Sequence, residues 1–213
     1  MATLQRIRRH DALERTGHWI HLGNMILLFL SGLQIHFATL NIFGSMNNAR
    51  LVHFVDMYVF FFIGVFHVYQ FFATGKWLTS GPTPGNLRST GPSIRYYLFL
   101  SDHKPQAGKY SGLQIVTYLL LFAISVVMAV IGFGLYWPVR LSWVVSAFGG
   151  LMPLRQVHYV LAWVFMVFTG VHLYLVLTQP LKYTRAMATG SYWRRAQDGT
   201  THRFPDRRRR VSP

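Results

Sequence analysis

The sequence predicts an all-α integral membrane protein, a bundle of four helices, and three observations predict it. Hydrophobic residues make up 52% of the 213 residues and charged residues only 13%, an apolar surplus beyond that of ordinary soluble domains. Four apolar runs, at about 18–40, 51–73, 113–137 and 157–178, each approach the roughly 20 residues that an α-helix needs to cross hydrocarbon. The basic residues between the runs crowd into alternate connections, as they do in chains that weave through a bilayer.

Residues 1–17, MATLQRIRRHDALERTG, form a basic arm that leads into the first run. No small-residue cleavage site follows Leu30, so this run is expected to stay as an anchoring helix. A short polar turn, 41–50, leads to the second run. The next connection is the longest internal one and opens with TSGPTPGNLRSTGPS, whose Gly, Pro and Ser content marks it as a loop. The aromatic and basic stretch IRYYLFLSDHKPQAGKY follows and is expected to lie along the membrane interface. Between the third and fourth runs, PVRLSWVVSAFGGLMPLRQ has a short amphipathic look around Trp143. The basic tail, 179–213, is expected to be loosely ordered. With no fixed-period repeat, residues 1–213 read as one transmembrane domain.

The net charge of +15 and the RRRR run at 207–210 raise nucleic-acid binding and nuclear import. Their placement argues against both. Of the 21 Lys and Arg, four precede the first run, one follows it, five follow the second, two the third and nine the fourth. Eighteen therefore fall on one side of the membrane and three on the other. By the positive-inside rule, both termini and the long connection are expected in the cytoplasm, with the tail solvated near anionic headgroups of the membrane lipid.

There are no cysteines. That excludes disulfides, thiolate metal sites, cysteine-bound iron–sulfur clusters and covalently attached c-type haem. What the chain does offer is histidine. Of its ten, His18, His21, His36, His53, His67, His158 and His172 lie in or at the ends of the apolar runs. A single membrane histidine usually serves packing through a hydrogen bond, but the spacings here form a set. His158 and His172 are fourteen residues apart, as are His53 and His67. Fourteen helical residues advance about 21 Å and return to within about 40° of the starting direction. Both members of each pair thus face one way, at opposite leaflets.

With a cytoplasmic N-terminus, His53 and His158 begin inward-running helices and lie near the outer face. His172, His18, His21 and His67 lie toward the inner face. Two opposed imidazoles can hold one haem iron from both sides, leaving no open position, which suits electron transfer. Two b haems stacked through the bilayer would make an electron path between its faces. The outer pair follows directly as His53 with His158. For the inner pair His172 could face His18, His21 or His67, and spacing symmetry favours His67. Gly32, Gly64 and Gly170 leave room for a flat macrocycle. Arg50 and Arg155 lie at the outer end, where haem propionates would be. The rival reading, a histidine-lined path for a divalent ion, fits less well, since zinc and copper sites cluster their ligands and recruit carboxylates or thiolates. Asp56 is the one acidic residue within the runs.

The residues that carry these features resemble the b-type cytochrome subunits of membrane-bound nickel–iron hydrogenases and formate dehydrogenases, with thiosulfate-reductase-type cytochromes close by. The likeness runs along nearly the whole chain: HW opening the first run, RLVHF the second, RYYLFL before the third, IGFGLY ending it, and VHYVLAW and GVHLYL in the fourth. The resemblance implies His53–His158 and His18–His172 as the axial ligand pairs, so on this ground His18 replaces the His67 that spacing favours. It also implies a quinone site, for menaquinone or ubiquinone, beside the inner haem. That site would fall on KYSGLQ with His172 and Tyr174, where Ser111 and Gln114 would bond a quinone carbonyl.

The expected function is that of a dihaem cytochrome b that anchors a periplasmic oxidoreductase in the cytoplasmic membrane. Electrons would enter from a partner's iron–sulfur subunit and leave to quinone. RYYLFL, IGFGLY and FGGLMPLRQVHY look hydrogenase-like, whereas KYSGLQ is nearer the formate and thiosulfate branch. A hydrogenase large subunit is therefore the first expected catalytic partner and formate dehydrogenase the second. A metal-ion transporter and a membrane-tethered nucleic-acid binder are remoter alternatives.

Overall fold

A computed structural model describes residues 4–75, 81–103, 111–178 and 181–195. Four long helices dominate it: α1 (Ala12–His36), α2 (Met46–Ala73), then, after the short α3 (Pro84–Leu87) and α4 (Thr90–Tyr97), α5 (Gly112–Tyr136), and, after α6 (Ser142–Ala147), α7 (Leu151–Thr178). Helix α8 (Leu181–Thr189) follows, and two strands, β1 (Leu4–Arg8) and β2 (Ser191–Arg195), lie at the ends of the chain. Three helices, Met46–Ala73, Gly112–Tyr136 and Leu151–Leu177, are long and apolar enough to cross a bilayer. Their outward faces are rich in exposed Val, Leu and Phe. The chain is an all-α, multi-pass membrane protein.

Helix α1 is as long as α5 but carries a polar stripe. Its buried residues are Gly17, Asn24, Ser31 and Gln34, spaced so that they share one face. Small and polar side chains on the packed face, with apolar ones outside, is the pattern of helices that associate in lipid. The helix starts at Ala12, before the apolar run, because a capping box holds it: Asp11 Oδ1 accepts from Glu14 N at 2.7 Å and Glu14 Oε2 from Asp11 N at 3.4 Å. It stops at His36, short of Leu40, because the buried Gln34 takes over the next backbone groups. Its Oε1 accepts from Ile42 N and Phe43 N at 3.0 and 2.8 Å, and its Nε2 donates to Ser45 O at 3.1 Å. Ser45 then caps α2 through Asn48 N at 3.1 Å.

Helices α1 and α2 make the most extensive helix–helix contact, α5 and α7 the next, and α2 meets α5. Between the two close pairs the approach is through side chains, Phe29 on Trp163 and His36 stacked on Tyr159. At the end of the bundle away from the chain termini, Ile131, Val144 and Leu154 form a small core where α6 tucks under α5 and α7. Gly134 permits this, since a Cβ there would come within 2.9 Å of Val144 Cγ1.

The described part of the tail, 181–195, differs from its expected looseness. Residues 181–189 are helical, and β2 pairs antiparallel with β1, Leu4 opposite Arg195 and Arg8 opposite Ser191. Gly190 makes the turn with φ 86°, and its carbonyl accepts from Arg9 N and His10 N at 2.9 and 3.2 Å. Arg15 Nη1 donates to Ala188 O at 2.7 Å. The sheet brings the start of α1 and the end of α7 to the same end of the bundle. Lys109, Tyr110 and the 207–210 arginines lie outside the described residues.

Candidate haem-binding site

His53 projects from α2 toward His158 on α7, with ring centroids 6.4 Å apart and planes at 74°. His53 is oriented by Ser31 of α1: its Nδ1 lies 2.9 Å from Ser31 Oγ, and that hydroxyl donates to Leu27 O at 2.6 Å. A hydroxyl that donates to the helix carbonyl must accept from the ring, so Nδ1 carries the proton and Nε2 keeps its lone pair. Glycines face both rings. A Cβ on Gly32 would lie 3.4 Å from His53 Cε1, and one on Gly132 would lie 3.6 Å from His158 Cε1. His158 Nδ1 is buried without a hydrogen-bond partner.

Toward the termini end, His18 of α1 faces His172 of α7, with centroids 6.2 Å apart and planes at 53°. His18 Nδ1 is likewise buried without a partner, and His172 is exposed. His67 does not face His172. It lies against His21, with ring centroids 4.9 Å apart and planes tilted by 38°, donates from Nδ1 to Ile63 O at 2.9 Å, and presses its ring on Gly17, where any Cβ would overlap it. The two facing pairs therefore draw one histidine each from α1 and α2 and both partners from α7.

The separations can be tested against a haem. A metal–nitrogen bond of about 2 Å on each side, with about 1.1 Å from nitrogen to ring centre, sets trans imidazole centroids roughly 6 Å apart. Both facing pairs meet this distance, and His21–His67 is too close. The unpartnered ring nitrogens of His18 and His158 are the kind of buried polar atom that costs free energy unless a ligand meets it. The profile of the prokaryotic cytochrome b561 family matches residues 9–190, which takes in all four of these histidines. The chain belongs to the prokaryotic cytochrome b561 family. A curated relative named "Putative protein-methionine-sulfoxide reductase subunit YedZ1", from Azospira oryzae, is 23% identical over 181 residues, covering 80% of this chain and 91% of the relative.

As a cytochrome b561-type protein the chain is a membrane electron-transfer subunit of a family that binds b haem, and its paired imidazoles fit that group. Among the described residues no cluster of three or more His, Cys, Asp or Glu converges on one point, which is what a closed zinc or copper site would need.

The remaining residues singled out in the sequence fall at several places in this cytochrome. Arg50 and Arg155 are exposed, three residues before His53 and His158 respectively and so about one helical turn nearer the start of their helices. Ser111 and Gln114 form the capping box of α5: Ser111 Oγ accepts from Gln114 N at 3.3 Å, and Gln114 Oε1 accepts from Ser111 N at 2.9 Å. Ser111 Oγ and Gln114 Oε1 are thus engaged in starting a helix. Tyr174, two residues beyond His172, leaves α7 on roughly the opposite side and is 61% exposed. Gly64 and Gly170 face open space, with nothing within 4 Å of a Cβ. Sequence reasoning missed Ser31 and Gly132. Ser31 lies 22 residues from His53 in a run where nothing local marks it, whereas Gly132 stands in the IGFGLY motif that the resemblance had already picked out.

Proposed function

We propose that this cytochrome is the dihaem membrane anchor of an oxidoreductase whose iron–sulfur and catalytic subunits lie in the periplasm, and that it moves electrons between that enzyme and quinone. The observation that carries the reading is two facing imidazole pairs, at 6.4 and 6.2 Å, whose α7 members are separated by about 21 Å of helix. His53 and His158 would hold the outer b haem, with Arg50 and Arg155 placed for its propionates, and His18 and His172 the inner one. Haem held on both sides by imidazole supplies one-electron transfer with no open position for oxygen. The chain's own part is to fix ring orientation, as Ser31 does for His53, and to exclude water through its apolar helices. The basic bias of one side supports cytoplasmic termini, and the β1–β2 pairing supports placing both on one side. Quinone would dock at the inner end beside the exposed His172 and Tyr174, taking its protons from the cytoplasm.

A hydrogenase is the first partner proposed and a formate dehydrogenase the second, on the motifs that resemble their cytochrome subunits. The curated relative's name favours a second reading, in which the partner reduces methionine sulfoxide. That reaction consumes electrons, so they would run outward from quinol. In native membranes the haem spectrum decides the direction: reduction by hydrogen or formate supports the first reading, and oxidation of quinol-reduced haem by methionine sulfoxide the second.

The ligand assignment is tested by pyridine haemochrome analysis. Two haems per chain are expected. His53→Ala and His158→Ala should each lose the same haem, His18→Ala and His172→Ala the other, and His67→Ala neither. A single haem in the unaltered protein would refute the dihaem reading. Bound zinc with no haem would support transport.

A further inference from the structure

Helix α4 ends where a glycine is expected. Leu100 N bonds Arg95 O at 2.8 Å and Phe99 N bonds Tyr96 O at 3.1 Å, the paired bonds of a Schellman motif, whose left-handed position glycine usually fills. Here it is filled by Phe99, with φ 59°, the one non-glycine residue at positive φ among the described residues. A Cβ in that conformation is strained. Phe99 is also 90% exposed, between Leu98 at 61% and Leu100 at 66%. In water this arrangement would be doubly unfavourable, combining a strained backbone with three consecutive apolar side chains in solvent. Such outliers mark positions where something outside the fold compensates.

The place of the segment indicates what that is. Ser89, at the start of α4, accepts from Gly112 N at 2.9 Å, and Gly112 opens the membrane-crossing α5. Ser93 is buried, and α4 packs against α5. The helix is thus held at the end of a span, on the side of the chain termini, at the level where headgroups meet hydrocarbon. Arg95 and Ser101, with Gly91, Pro92 and Leu100, line an open cavity of about 460 Å³ beside the apolar triplet. Arg95 makes no ion pair to a carboxylate among the described residues, and this side holds eighteen of the 21 Lys and Arg. A guanidinium and a hydroxyl together are suited to phosphate oxygens.

We propose that Leu98, Phe99 and Leu100 form a wedge that enters the adjoining leaflet, and that Arg95 and Ser101 bind the phosphate of an anionic phospholipid beside it. The apolar triplet then leaves water for acyl chains, and the strained position at Phe99 is retained because glycine would forfeit that contact. This rests on the membrane location and not on the partner or quinone.

The absence of cysteine makes the test direct. The full-length haem-loaded chain carries a spin label at Phe99→Cys and is reconstituted in nanodiscs of phosphatidylethanolamine and phosphatidylglycerol. Collisions with oxygen should exceed those with a water-soluble nickel complex several-fold, and a label at Asp102→Cys should show the reverse. A label at 99 reached mainly by nickel overturns the wedge, and so does one shielded from both, which would mean that protein covers it. Leu98→Cys is the second reporter should the first variant not accumulate. For the headgroup, native mass spectrometry should find several-fold less retained phosphatidylglycerol on Arg95→Gln. Equal retention overturns the phosphate assignment.

Discussion

Replacing Ser31 with alanine removes one oxygen from a fully buried position and with it the acceptor 2.9 Å from His53 Nδ1. The gap left is too small for a water to take over. An orphaned buried N–H costs about 1–3 kcal/mol, and losing a ligand's hydrogen-bond support typically weakens metal binding about 10–100-fold. The bond to Ser31 makes the imidazole more electron-rich; in a haem held by this pair that would favour ferric over ferrous iron, so its loss should raise that haem's potential. A tenfold change in that preference corresponds to about 59 mV for one electron. Spectroelectrochemical titration of the purified protein should therefore show one midpoint potential moving up, by up to about that amount, and the other unmoved. Thr169→Ala is the control, since its hydroxyl also bonds a helix carbonyl, Phe165 O at 2.9 Å, but reaches no histidine in the structure. If Ser31→Ala leaves both potentials in place, or moves both equally, the orienting role of Ser31 is wrong.

Three other changes probe the packing. Gly17→Ala should lower the melting temperature in detergent, because its Cβ would overlap the His67 ring and overpacking costs about 1–3 kcal/mol; adding His67→Ala should restore most of it, and failure to do so would place the strain elsewhere. Gly190→Ala forces a Cβ onto φ 86° and to 3.1 Å from His10 O, at about 1–2 kcal/mol; hydrogen exchange should quicken over residues 4–8 while α2 and α5 keep their protection. Ser111→Ala should cost about 1 kcal/mol of stability through the lost cap and leave the KM for quinone unchanged; a raised KM at unchanged stability would return Ser111 to the quinone site.

The long helices were legible because burial in lipid leaves a mark on every residue of a span, and the setting of His158 and His172 at two depths of one helix because a fourteen-residue separation fixes both direction and depth. Spacing alone favoured His67 as the partner of His172, whereas the structure sets His18 opposite it. That choice depends on how α1 rolls against α2, and the roll is set by the stripe of Gly17, Asn24, Ser31 and Gln34, whose role appears only once the neighbour is known. The polar residues of α1 also blurred its bounds: Asp11 and Glu14 start it early, and Gln34 ends it before the apolar run is over. Ser111 and Gln114, singled out as quinone contacts, also form a capping box, because a helix cap and a carbonyl-binding site call for the same side chains. The β1–β2 sheet was invisible because its strands are at opposite ends of the chain, each too short and too basic to announce a partner.

That sheet also orders the protein's biogenesis. The partner of Leu4 is Arg195, so the first strand to leave the ribosome must wait for almost the last. Closing so long a loop is only modestly dearer in entropy than closing a short one, but it cannot happen until every intervening helix has been threaded into the bilayer. A polypeptide stalled or cut before Ser191 would keep β1 unsatisfied, a row of free backbone donors and acceptors open to the cell's quality control. The seam that joins the ends is in this sense a seal, formed only on a finished molecule.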